Sequence, residues 1–267
     1  MNVVITGASS GIGRACAMMF ARKGHPVLAV ARREDRLLLL EKEAEQNHAA
    51  HVTSLAMDIT SPGAPARVLE QAIRLFGNVH VLINAAGMSP YQEFHDLDYR
   101  HVCQILALNV RALTELCFFF MPHMLDHGET SRVVNVGSVG SYAPLPRFSV
   151  YSGSKHYVRV FTDLLAFECR RTNLRVCGLY PGGTLTEFPQ LAGQKIRAMT
   201  RRTMFTPERL ADIAYPAILK GKRVIVPGFI NQLAVLIGKQ LPFPWAIGVT
   251  KFIYDHTVDP VAPTYPL

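Results

Sequence analysis

Short, almost wholly apolar runs alternate along this chain with longer amphipathic ones. The runs VVIT, PVLAV, VTSLAM, HVLINA, RVVNVG, LRVCGLY and RVIVPG have strand length and little polar alternation. That pattern predicts strands buried on both faces. Between them, residues 34–48, 64–76, 98–125, 151–171 and 207–219 place apolar side chains at helical spacing. Regular β–α alternation predicts an α/β fold, an open, doubly wound, mostly parallel seven-stranded sheet with helices on both faces. Such a sheet binds its ligand beyond the carboxyl ends of the strands, near the switch in strand order.

The first crossover carries the first chemical signal. TGASSGIG, from Thr6 to Gly13, stands between VVIT and the helical run RACAMMFARKG, which Gly24 ends. A helix N-terminus presents unpaired amides and a partial positive charge to an anion, and glycines let a phosphate approach the backbone. The spacing is GxxxGxG from Gly7 rather than GxGxxG. The second strand ends in Ala31-Arg32-Arg33, where an enzyme using NAD would place an acid for the ribose hydroxyls. Arginines there can pair with a 2′-phosphate, with Arg14 adding to the field. A solvated pair at a helix start is the alternative.

Tyr151 and Lys155 in YSGSK lie four apart on a predicted helix and so share a face. Ser138 closes the preceding strand run, within reach of that helix. A phenol titrates near pH 10, so a neighbouring ammonium would bring it toward the useful range. A serine hydroxyl can hold an oxygen on which negative charge develops.

Together these motifs resemble the short-chain dehydrogenase/reductase family in its form of about 250 residues. The matches run in order: TGASSGIG, Asp58 in MDIT, NAAG at Asn84–Ala85–Ala86–Gly87, Asn109 in LNV, Ser138, YSGSK, and PGGTLT from Pro181 to Thr186. The resemblance implies a single-domain Rossmann fold over residues 1–267. It implies a catalytic tetrad of Asn109, Ser138, Tyr151 and Lys155. In it Tyr151 is the general acid or base, Lys155 the ribose ligand and tuner of the tyrosine, and Asn109 the holder of a relay water. It places the cofactor on Gly7, Ser9, Ser10, Gly11, Ile12, Gly13 and Arg14, with Arg32 and Arg33 at the 2′-position. Asp58 and Ile59 would border the adenine, Thr184 and Thr186 would meet the nicotinamide side, and Asn84–Gly87, Pro181 and Gly182 would add further cofactor contacts. The implied activity is NADP(H)-dependent hydride transfer to or from a carbonyl or secondary alcohol, with NADP(H) favoured over NAD(H). NNAG is NAAG here and YSASK has Gly153 at its centre, each a swap of small residues. The run TPERLADIA…GKRVIVPGFIN is similar to the bacterial DltE-like branch of broad-specificity reductases.

By position, Met88 to Tyr91 (Ser89 and Tyr91 among them) and Gly140 to Pro144 (with Tyr142) should line the substrate pocket beside Ser138. Residues 187–206 fall where the family keeps a lid. Lys195, Arg197, Arg201 and Arg202 there read either as a solvated face or as contacts for an acidic substrate. The tail, 229–267, begins with FINQLAVLIGKQL, too short and interrupted to span a bilayer. It reads as a helix docked on the core or a subunit, or as a surface-seeking helix beside a pocket for lipid-like substrates.

Composition adds limits. Charged residues make up 18% and hydrophobic ones 49% of 267, which is a globular balance. Net charge is +8, from 28 Lys and Arg against 20 Asp and Glu. That suits a polyanionic cofactor, an acidic substrate or an anionic membrane surface. No basic run interleaves with aromatics, so nucleic acid is not expected as a partner. Cys16, Cys103, Cys117, Cys169 and Cys177 form no CxxC pair. They are expected as reduced core thiols without a metal. A strand at the very start leaves no room for a targeting sequence, so a cytoplasmic location is expected, with membrane association through the tail. Pairing of the long helices 98–125 and 151–171 would give a homo-dimer or homo-tetramer. Two other functions share parts of the pattern. A non-enzymatic dinucleotide sensor would tolerate loss of Tyr151 or Lys155, and a sugar-nucleotide epimerase or dehydratase would need a larger C-terminal substrate domain.

Overall fold

A computed structural model describes residues 1–265. The main sheet has seven strands in the order β3-β2-β1-β4-β5-β6-β8, every neighbouring pair parallel. In chain order the elements are β1 (Val3–Thr6), α1 (Gly11–Arg22), β2 (Val27–Ala31), α2 (Glu34–Gln46), β3 (Val52–Ala56), α3 (Ala64–Phe76) and β4 (Val81–Asn84). There follow α4 (Tyr99–Leu106), α5 (Leu113–Asp126), β5 (Ser131–Val136), α6 (Ser149–Glu168), β6 (Leu174–Leu179), α7 (Phe188–Leu191), β7 (Gln194–Ile196) and α8 (Ala198–Arg201). The chain ends with α9 (Pro207–Leu219), β8 (Val224–Ile225), α10 (Phe229–Gln240), α11 (Phe243–Thr257) and β9 (Val258–Pro260). All seven predicted strands form this sheet, which is the expected α/β Rossmann architecture.

The apolar runs explain why. Along β1, Val3 and Ile5 enter the core on the α1 side while Val4 enters the opposite core beneath α3 and α5. A strand apolar at every position suits a sheet covered on both faces. Helix α5 aligns Leu116, Phe120 and Met124, all fully buried, on one face. Truncating Phe120 to alanine would cost about 3–5 kcal/mol.

Two expectations are corrected, and one pairing is new. The predicted helix 98–125 is interrupted between α4 and α5 by a wide turn, Ala107–Ala112, with π-type hydrogen bonding. Such bulges cluster at functional sites, and Asn109 lies in this one. Cys103 is exposed on the outer face of α4, whereas the other four cysteines are buried. Hydropathy alone does not distinguish the inner from the outer stripe of an apolar helix. Finally, β7 and β9 form a separate antiparallel pair, joining segment 187–206 to the chain's end. Pairing across so many residues leaves no local signal.

Candidate active site

The carboxyl ends of β1, β4, β5 and β6 converge at one edge of the sheet. At β1 the chain turns through Gly7, whose φ of +71° favours glycine, and a Cβ there would lie 2.8 Å from the Ala86 backbone. A Cβ on Gly13 would strike the Gly7 carbonyl oxygen at 2.4 Å, so α1 packs onto the turn only because that position is glycine. Ser10, the residue before α1, makes no side-chain cap, and no acid occupies the first turn. The amides at this N-terminus are free to meet an anion. Beside them lies a cavity of about 470 Å³ lined by Ser9, Ser10, Gly11, Arg36, Thr186 and Glu187, among others. A glycine cradle, an uncapped helix end and clustered arginines fit a dinucleotide's phosphates.

Arg33 reaches over this cavity. Its guanidinium donates to Ser9 Oγ at 3.1 and 3.2 Å, to Ser10 Oγ at 2.7 Å and to Glu187 Oε2 at 3.1 Å. Arg36, one helical turn on, also pairs with Glu187. Burial opposes ionisation of Glu187, but the hydrogen bonds from Arg36 and Arg33 hold its carboxyl below the usual value. The other two predicted arginines are placed differently. Arg32 is largely exposed and 4.0 Å from Asp58 Oδ2. Arg14 lines the cavity but pairs with Glu43 of α2. Asp58 accepts from the amide and hydroxyl of Thr60 at 2.9 and 2.7 Å, and Ile59 is buried beside it.

Ser138 caps a short turn after β5, its Oγ accepting from the Gly140 amide at 3.0 Å. Tyr151, in the first turn of α6, is buried with 8% exposure. Burial pushes its phenol up to about 12, opposed by a hydrogen bond from Ser138. Lys155, also buried, donates from Nζ to the Val136 carbonyl at 2.8 Å, and burial lowers it to about 8. Nζ lies 5.8 Å from the Tyr151 ring centre. Nζ is turned to the strand end here, and burial dominates the phenol. Asn109 Oδ1 accepts from the Met88 amide at 3.0 Å, and Nδ2 donates to the Met88 carbonyl at 3.0 Å and to Ser154 Oγ at 3.1 Å. Its side chain thus pins the loop after NAAG to α6.

Asn84 turns its side chain into the core, donating to Asn135 Oδ1 at 2.9 Å, and Asn135 in turn donates to Thr162 Oγ1 at 3.0 Å. Only Ala85, Ala86 and Gly87 run past the sheet edge, the Ala86 backbone closing on Gly7. Pro181 accepts from the Val139 amide at 2.9 Å, and Gly182 packs directly on Asn231 of α10. Thr184 is buried, bonded to the Gly182 carbonyl at 3.0 Å, while the Thr186 methyl meets Gly11. Of the expected substrate residues, Tyr91 packs in one aromatic cluster with Tyr151 and Phe148. Ser89 is buried on the adjoining loop. Tyr142 is not brought to that group. It meets Tyr180 edge-to-face at 5.1 Å beneath Val235 of α10, because α10 and α11 cover residues 142–144.

Sequence reasoning missed Arg36, Glu187 and the aromatic cover of Tyr151. Arg36 could have been found, since it follows Arg33 by three on a helix. Tyr254 and Tyr265 carried no local signal, because long-range contacts such as the β7–β9 pairing bring the chain's end near Tyr151.

The model of the short chain dehydrogenase family matches residues 1–196. Among curated relatives, sulfoacetaldehyde reductase 2 of Chromohalobacter salexigens is 34% identical over 79% of this chain and 84% of its own length. A fatty acyl-CoA reductase of Acinetobacter baylyi is 30% identical over 81% of this chain and 72% of its own. A short-chain dehydrogenase from Sphingobium yanoikuyae, solved in complex with NADPH, is 31% identical and covers 89% of this chain and 92% of that one, with a TM-score of 0.78. The chain belongs to the short-chain dehydrogenase/reductase family and is an oxidoreductase of that type.

Proposed function

We propose that this protein is an NADP(H)-dependent carbonyl reductase, running in reverse as an alcohol dehydrogenase, with Tyr151 as its general acid and base. The observation that carries the reading is the placement of the Ser138 hydroxyl beside the buried Tyr151 phenol, whose upward shift it opposes, one helical turn from Lys155 and across the sheet edge from an uncapped helix N-terminus and Arg33. The dinucleotide, when bound, supplies or accepts the hydride. Tyr151 Oη gives its proton to the substrate oxygen in reduction and takes it back in oxidation. The Ser138 hydroxyl holds that oxygen as charge grows on it. Lys155 Nζ would hold the ribose hydroxyls, and a charged Nζ beside Tyr151 favours the phenolate needed for oxidation. Asn109, through Met88 and Ser154, keeps the loop and α6 in register. Gly7 to Gly13 would take the pyrophosphate, and Arg33 with Arg36 the 2′-phosphate.

The assembly belongs to the same proposal. Phe118 is 72% exposed on α5, and Leu164 and Phe167 stand out on α6. These outer stripes suit a homo-dimer in which α5 and α6 meet their copies. The run Tyr99–Asp126 is long and apolar enough to cross a membrane by composition, and core burial plus this subunit face accounts for its apolarity. Helices α10 and α11 each bury one residue, Val235 and Ala246, and expose Phe229 (78%) and Trp245 (71%) among other large apolar side chains. With Lys239 and Lys251 they suit contact between a cytoplasmic enzyme and an anionic bilayer surface.

The test is a panel of ketones and aldehydes scanned by NADPH absorbance with the full chain. Turnover that Tyr151→Phe removes is the expected result. NADPH binding without turnover of any carbonyl compound would favour a dinucleotide sensor instead.

A further inference from the structure

The surroundings of Tyr151 speak to the substrate. Phe148 lies 5.2 Å from its ring and Phe188, from segment 187–206, 5.6 Å. Tyr254, from the last turns of α11, lies 6.0 Å from Tyr91, and Tyr265 lies 6.5 Å from Phe188. These rings form one cluster with Tyr151. The chain's end is held there by more than packing. Strand β9 pairs with β7, Arg197 donates twice to Asp259 Oδ1 at 2.8 and 3.2 Å, the Val261 amide donates to Gly193, and the Thr264 amide donates to Leu191 at 3.0 Å. Lid and tail are one covering piece.

The cations near this piece turn away from Tyr151. Lys195, Arg197, Arg201 and Arg202 are all exposed. Arg147 lies over Tyr91 but pairs with Glu93 at 3.1 Å. Burial pushes the phenols of Tyr254 and Tyr265 up, each reinforced by Tyr151, although a backbone hydrogen bond with Ser89 pulls Tyr265 the other way. Both stay uncharged near neutrality. With Lys155 Nζ committed to the Val136 carbonyl, a buried anion facing such a wall would lack a counter-charge on that side, which is costly.

We propose that Tyr254 and Tyr265, pinned to the lid by the β7–β9 pair, wall the substrate side of Tyr151 and select neutral carbonyl compounds with an apolar or aromatic body over small anionic ones. The proposal rests on Tyr151 being the proton donor. It also separates this chain from its sulfoacetaldehyde-reducing relative, whose named substrate is a small sulfonate.

The experiment measures kcat/KM with NADPH for hydrocinnamaldehyde, decanal, propanal, sulfoacetaldehyde and succinic semialdehyde, using the full chain. The two larger neutral aldehydes are expected to exceed both anions by about 100-fold or more. Tyr265→Ala and Tyr254→Ala should each shift the hydrocinnamaldehyde-to-propanal ratio about tenfold toward propanal, mainly through KM. Tyr265→Phe and Tyr254→Phe, which keep the ring, should restore it, and being near-isosteric they test the wall even if an alanine variant misfolds. Equal or better turnover of the anions, or a ratio unmoved in folded alanine variants, overturns the inference while leaving the reductase reading intact. Failure of every aldehyde to oxidise NADPH overturns that reading, and this one with it.

Discussion

Glu187 Oε2 accepts a hydrogen bond from Arg33 Nη1 at 3.1 Å although 154 residues separate them in sequence. The contact latches the lid onto the start of α2 and holds Arg33 and Arg36, the arginines proposed for the 2′-phosphate, together. An incoming 2′-phosphate must compete with the carboxylate for Arg33 and Arg36. Arg33→Ala with Arg36→Ala is therefore expected to weaken NADPH binding tenfold or more while changing NADH little, since charge-assisted contacts contribute roughly 1.5–3 kcal/mol each. Glu187→Gln should instead tighten NADPH a few fold. Fluorescence titration with both cofactors decides; equal affinity of the unaltered protein for the two would refute the preference.

Three variants at the candidate centre should fail differently. Tyr151→Phe keeps the ring against Phe148 and Phe188 but has no proton to give. Turnover should vanish while NADPH affinity stays within a few fold. Lys155→Ala should lower both, because one side chain holds the ribose and supports the tyrosine. Ser138→Ala should leave the cofactor bound and slow the reaction by about 10²–10³-fold. Near-normal turnover by Tyr151→Phe would exclude the mechanism.

Lys155 also makes stability depend on pH. Burial lowers it from its ordinary 10.5 to about 8 in the folded chain. Between those values the unfolded chain binds the extra proton, so this group raises stability as pH rises from 8 to 10.5 and costs most below 8. The cost there is on the order of 3 kcal/mol. Lys155→Met should accordingly be inactive yet more stable than the unaltered protein in urea at pH 7. The gap should narrow above pH 8, and comparing the two proteins cancels titration of the buried cysteines and tyrosines. A gap unchanged from pH 7 to 10 would contradict this account.

The surface of α10 and α11 is best tested without removing the tail, because truncation after Gly228 would also take Tyr254, Tyr265 and β9. Replacing Phe229, Trp245 and Phe252, all largely exposed, by serine should leave the fold intact. It should reduce sedimentation with vesicles containing phosphatidylserine. Loss of oligomeric state with no change in vesicle binding would show that a second copy covers this face.

The sequence by itself determined the sheet, because the central strands are apolar on both faces and the helices between them carry apolar stripes, properties written in consecutive residues. It also determined the chemistry of the edge. Gly7 and Gly13 stand where a Cβ would collide, and Tyr151 and Lys155 share one helical face whatever surrounds them. Tertiary structure decided what depends on distant contacts. It turned Asn84 into the core and Tyr142 toward α10, and it joined Glu187 to Arg33. By pairing β9 with β7 it brought Tyr254 and Tyr265 to Tyr151. Local periodicity reports which way a side chain points within its own element. Which side chain it meets is set by how the elements pack, and that information is spread over the whole chain.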